Sequence, residues 1–84
     1  MTTAIILINV QRAKLKSVAD KIAVIEGVTE VHTVAGEFDL VVMLKVNDVT
    51  QLSKILTEKM TVIEGLTHTR TLVSLEVTSK KWSN

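Results

Sequence analysis

The chain contains no cysteine, and its aromatic content is limited to Phe38 and Trp82. Without thiols there is no disulfide to staple the fold and no thiolate metal centre. With two rings there is no row of stacking platforms of the kind that holds unpaired bases. Glycine occurs at Gly27, Gly36 and Gly65, positions too scattered to build a phosphate-cradling loop. Neither sign of charge dominates, since 10 basic and 9 acidic residues leave a net charge of +1. No cationic stripe marks a nucleic-acid face, and Lys80 and Lys81 read as a short solvated tail. Long apolar runs are missing as well. Ile5–Ile8 is far too short to cross a bilayer, and the residues before it offer no basic segment or cleavage site. The expectation is a cytoplasmic protein that touches neither nucleic acid nor membrane directly.

What the chain does have is aliphatic surface. Its 84 residues make one domain, 1–84, and 46% of them are hydrophobic. A domain of this size buries only roughly 60–65% of its unfolded surface. Its core is therefore thin, and self-association is the natural way to bury more.

An internal repeat organises the sequence. Residues 24–34 read VIEGVTEVHTV and residues 62–72 read VIEGLTHTRTL, an offset of 38 residues. Val24, Ile25, Glu26, Gly27, Thr29 and Thr33 recur identically, and the same offset maps Val18 onto Leu56, Ile22 onto Met60 and Ile6 onto Leu44. Each copy reads as strand, helix, glycine stop, strand. Ala4–Val10 is a β-branched run that predicts a strand. In Lys14–Ile25 the residues Leu15, Val18, Ala19, Ile22 and Ile25 fall at helical spacing. Gly27 then stops the helix where a left-handed residue is wanted. Val28–Ala35 and Phe38–Val46 read as strands joined at Gly36–Glu37, and Asp48 caps a helix carrying Leu52, Ile55, Leu56, Lys59 and Ile63. Gly65 stops that helix and Leu66–Thr78 is the last strand.

Two such units in series predict an α+β, ferredoxin-like βαββαβ fold, a four-stranded antiparallel sheet with two helices on one face. The opposite face of a monomer should be polar. Here it is not: Ile5 and Leu7 oppose Ile6 and Ile8, while Val41 and Met43 oppose Leu40, Val42 and Leu44. Helices can cover one side only. An uncovered apolar face of several hundred Å² marks an interaction surface, and a face-to-face, isologous dimer of sheets is the economical solution.

Reactive constellations are sparse. His32 and His68 have no cysteine or carboxylate at ligand spacing, and under the repeat they align with Arg70 and Glu30 as polar slots on the sheet. No nucleophile–base pattern occurs, and Met43 and Met60 fit core positions. Trp82 reads as an interface or packing anchor. No metal, cofactor or catalytic residue is expected. The segment Ala35–Leu40 is different, because it joins the two units and has no counterpart in the repeat. It reads either as a hairpin turn, with glycine supplying positive φ, or as a binding loop. Asp39, beside the apolar start of a strand, needs a partner in either case.

This segment also carries a resemblance. Val34-Ala35-Gly36-Glu37-Phe38-Asp39-Leu40, then Asn47-Asp48 before a helix, then Glu64-Gly65-Leu66-Thr67-His68-Thr69-Arg70-Thr71, resemble the C-terminal domain of Lrp/AsnC transcription regulators over essentially the whole chain. Glu26 and Glu64 stand where that family often has proline before glycine. The resemblance implies the stand-alone form, a sensor without the helix-turn-helix DNA reader. It implies sheet-paired dimers that can join into a ring, with an amino-acid effector pocket between dimers. Ala35, Gly36, Glu37 and Phe38 would then present backbone groups to the ligand's charged ends. Asp39 would hold the loop or meet the ammonium, and Thr69 and Thr71 would offer hydroxyls. Full-length Lrp/AsnC regulators are the implied protein partners. Two other classes compete. A structural assembly subunit would share the oligomer without responding to a ligand. A small dimeric α/β-barrel enzyme would need polar or aromatic side chains between helices and sheet, where this chain offers aliphatics.

Overall fold

Apolar alternation in the first and third strands decides where the helices lie. The computed structural model describes residues 1–80 and runs β1 (Thr2–Val10), a 3₁₀ turn (Arg12–Lys14), α1 (Leu15–Ala23), β2 (Val28–Thr33), β3 (Leu40–Val46), α2 (Val49–Ile55) continued by a π turn (Leu56–Met60), and β4 (Leu66–Val73). The expectations for Lys81 and Trp82 lie outside the described residues. The four strands form one antiparallel sheet in the order β2-β3-β1-β4. Each helix connects strands separated by one intervening strand, as the duplicated βαβ requires.

One side of the sheet is closed. Ala4, Ile6 and Ile8 of β1 and Leu40, Val42, Leu44 and Val46 of β3 are buried, and they form one cluster with Val18 and Ile22 of α1, Leu52 and Ile55 of α2, and Met60. The repeat-related pairs Ile6 and Leu44, and Ile22 and Met60, are all fully buried. The repeat therefore reflects two halves of one core. Asp48 caps α2 as expected, its carboxylate accepting from the Gln51 N–H at 2.9 Å. Gly27 adopts φ 98°, and a Cβ there would stand 2.8 Å from the Lys45 carbonyl oxygen, so the glycine stop also admits a close backbone approach.

The other side is open and carries what the register dictates. Ile5 faces Met43, Leu7 faces Val41, and these four share that side with Glu30 and His32 of β2 and Arg70 and Leu72 of β4. Leu72 is 46% exposed. Nothing in the chain's own helices reaches this face.

Beyond shifts of one or two residues at the ends of β1 and α1, three features differ from the sequence reading. The second helix widens into a π turn, with the Thr61 N–H donating to the Leu56 carbonyl at 3.0 Å. Thr57 and Thr61 hydroxyls bond back to Ser53 and Thr57 carbonyls at 3.0 Å, a habit of threonine that bends helices. The second strand stops at Thr33 and the third starts at Leu40, so the connection is a six-residue loop and not a tight turn at Gly36–Glu37. Finally, β4 ends at Val73, five residues before Thr78, because its last backbone bond to β1 joins Ser74 N–H to the Thr3 carbonyl.

Candidate ligand-binding site

The loop between β2 and β3 lies at the end of the sheet where β1 finishes, and β1 holds it there. The Asp39 N–H donates to the Ile8 carbonyl at 2.9 Å, and the Val34 N–H donates to the Asp39 carbonyl at 3.0 Å. The β1–β4 register shifts between Asn9 and Val10. At that irregularity the Val10 N–H goes to the Asp39 carboxylate at 2.9 Å. The Asn9 amide donates to the same carboxylate oxygen at 3.4 Å and to the Glu37 carbonyl at 3.0 Å. Asp39 thus has its partner, and the geometry makes it a loop holder. A part-buried carboxylate that accepts a backbone N–H and a side-chain amide is satisfied without a ligand.

Between these ties Ala35, Gly36 and Glu37 are exposed, with Phe38 half-buried. Gly36 has φ 155°, and no heavy atom comes within 4 Å of the place a Cβ would occupy. Its requirement is conformational, not steric. The outcome is a short exposed peptide run whose ends are fixed, so its backbone groups point in set directions.

Thr69 and Thr71 stand elsewhere. They pair with Ile8 and Ile6, both fully buried under the helices. Antiparallel partners share a face, so both threonines lie half-buried on the helix-bearing side of an edge strand. The loop and the threonines are separated by β1, which is about 10 Å of sheet. One chain does not bring them together.

Asn9 is the residue that the sequence reading missed. Its signal was a lone amide between Ile8 and Val10 at the end of an aliphatic strand. A second correction concerns His32, which does have a carboxylate neighbour. Alternation in β2 puts Glu30 on the same face, and His32 Nε2 lies 2.7 Å from Glu30 Oε1. Both side chains are more than half exposed. Among the described residues no three acidic or histidine groups converge on a cation site, and no helix is long and apolar enough to cross a membrane. A shallow cleft between the end of α1 and α2, lined by Val24, Ile25, Glu26, Gln51, Ile55 and Lys59, takes in none of the expected site residues.

Known proteins place this arrangement. The family profile described as the Lrp/AsnC ligand binding domain matches residues 3–81. An uncharacterised HTH-type transcriptional regulator of Pyrococcus furiosus is 41% identical over 76 residues, covering 87% of this chain and 51% of the relative. A regulator of the same description from Pyrococcus abyssi is 35% identical, covering 95% of this chain and 55% of its own length. The chain spans about half the length of the curated relatives it matches. A crystal structure from Thermus thermophilus superposes with a TM-score of 0.90 at 30% identity, covering 95% of this chain and all of that one. AsnC of Escherichia coli superposes at 0.89 with 20% identity, covering 98% of this chain and 56% of that one, and shares the fold. The two Pyrococcus relatives are described as HTH-type transcriptional regulators. The chain belongs to the Lrp/AsnC ligand-binding-domain family.

Proposed function

We propose that this domain senses a small amino acid at the loop Ala35–Phe38, and that occupancy of the loop shifts the domain's oligomeric state. The observation that carries the reading is the clamp. Asn9, Val10 and Asp39 fix the ends of an exposed glycine-containing loop in which the Glu37 carbonyl is engaged by Asn9 and the backbone of Ala35 and Gly36 stays exposed. Such a loop suits a ligand with charged ends and little else, which backbone N–H and carbonyl groups recognise well. The loop takes one side of the site, and Thr69 and Thr71 of a neighbouring copy supply hydroxyls from the other. A site shared between copies couples ligand binding to assembly, because the ligand stabilises the assembly that completes its pocket. The open apolar face supports the first step of that assembly, a face-to-face dimer. Dimers then join through the ligand sites, and mixed assembly with full-length regulators of the family follows the same geometry.

A regulator from Neisseria meningitidis, solved as a complex with L-Met, shares the fold with a TM-score of 0.85 at 15% identity. Methionine is therefore the first ligand to try, alongside the other nineteen. The test is the thermal midpoint of the purified protein with each amino acid at millimolar concentration. A ligand at 100 times its dissociation constant adds about 2.7 kcal/mol. A rise with one or a few amino acids, lost in Asp39→Ala, supports the sensor. No rise with any of the twenty sinks it and leaves an assembly subunit.

A further inference from the structure

The internal repeat makes two equivalent helix-to-strand corners, and the chain fills only one of them. Glu64-Gly65 follows the second helix and Glu26-Gly27 follows the first. At the Glu64 corner Lys14 lies against the glycine, its Cβ 2.6 Å from where a Gly65 Cβ would stand. The Lys14 ammonium reaches the Glu64 carboxylate at 3.7 Å. An aliphatic stem with a terminal ammonium therefore occupies that corner. The 38-residue offset maps Lys14 onto Leu52, which is buried and carries no charge. The Glu26 corner has no such stem. It opens instead into the cleft between the end of α1 and α2, which encloses about 400 Å³, within the range of small-ligand sites.

The lining of that cleft complements a ligand with two opposite charges. Gln51, Ile55 and Lys59 line it at four-residue spacing, so they form one stripe along the second helix, on the order of 10 Å long. Ile55 is buried and Ile25 half-buried, and under the repeat Ile55 stands where the other half has the exposed Ser17. This corner thus has an apolar floor where the other has a hydroxyl. Glu26 and Lys59 are exposed and of opposite charge. Among the described residues the ion pairs are Lys14–Glu64, Lys16–Asp20 and His32–Glu30, so neither cleft charge is spent within the chain. Lys59 also stands in the π turn Leu56–Met60, a local widening of a helix that is frequent at functional sites.

We propose that this cleft binds a small aliphatic zwitterion with its ammonium and carboxylate at opposite ends of an unbranched stem. Glu26 and Lys59 do not meet each other across the cleft, so a ligand that meets both must hold its own charges apart. The ammonium meets Glu26 as the Lys14 ammonium meets Glu64, the stem lies on Ile25 and Ile55, and the carboxylate meets Lys59. The site lies within one chain, apart from the loop Ala35–Phe38, and stands or falls without the sensor reading.

A nitrogen-15 NMR titration of the full chain with 6-aminohexanoate tests it. Amides of residues 24–27 and 51–59 should shift saturably at millimolar probe. L-Norleucine has the same atoms with both charges at one end, and should bind the cleft more weakly by about tenfold or more. Hexanoate and hexylamine each lack one charge and should lose binding to the same degree. Glu26→Gln and Lys59→Met should each weaken 6-aminohexanoate by about tenfold or more, with the midpoint of the probe-free protein unchanged, while Lys59→Arg should keep the binding. Shifts confined to residues 34–38 overturn the cleft site and leave the loop standing. The absence of any saturable shift overturns it, as do equal binding of norleucine and native binding by both Glu26→Gln and Lys59→Met. Saturable shifts at the cleft beside a thermal screen in which no amino acid acts keep this site and remove the loop reading.

Discussion

Ile6 and Leu7 are neighbours in one strand and nearly equal in size, yet they belong to different surfaces. Ile6 faces Val42 and Thr71, is fully buried, and lies beneath the helices. Leu7 faces Val41 and Arg70, is half-buried by its sheet neighbours, and lies on the side away from both helices. The difference of one residue in parity separates folding from association. On the covered side, burial is complete within the chain and its loss must show at any concentration. On the open side, the proposed dimer completes the burial, and its loss should show as a change in mass.

The largest expected effect is on the covered side. Ile6→Ala removes a fully buried side chain and should cost about 2–5 kcal/mol, read as a lower urea midpoint. Leu7→Glu sharpens the contrast. It should leave the far-ultraviolet spectrum of the folded domain unchanged but raise the dimer dissociation constant by about 100-fold, or about 2.7 kcal/mol. A Leu7→Glu protein that unfolds would make the two faces alike and break the comparison. At the loop, Asp39→Ala strands the Val10 N–H and should cost about 1–2 kcal/mol. Amides 34–38 should then exchange faster, and any amino-acid shift of the midpoint should vanish. The smallest effect is at the α2 cap. Asp48→Ala leaves the Gln51 N–H without its acceptor and should cost about 1 kcal/mol by urea denaturation, with mass and ligand response unchanged.

The same two faces explain what was legible in the sequence. Periodicity and the 38-residue repeat announced the element order, the glycine stops, the Asp48 cap and the apolar faces, because each depends on residues close in sequence. The boundaries that shifted depend on partners far away. The loop extends to Asp39 because Ile8 and Val10 capture that residue, and β4 stops where its bonds to β1 stop. The loop residues themselves stood out as the part of the chain outside the repeat. Asn9 did not, since its contacts with Glu37 and Asp39 span 28 and 30 residues. Thr69 and Thr71 looked like site residues by motif. Only the register put them on the helix-bearing side, across β1 from the loop.

Sedimentation velocity of the native chain and of Leu7→Glu, from low to high micromolar, tests the central division most directly. The account predicts that the native chain sediments as a dimer or larger, while Leu7→Glu sediments as a single folded chain. A native chain that stays monomeric throughout, or a Leu7→Glu variant that assembles as the native chain does, would contradict it.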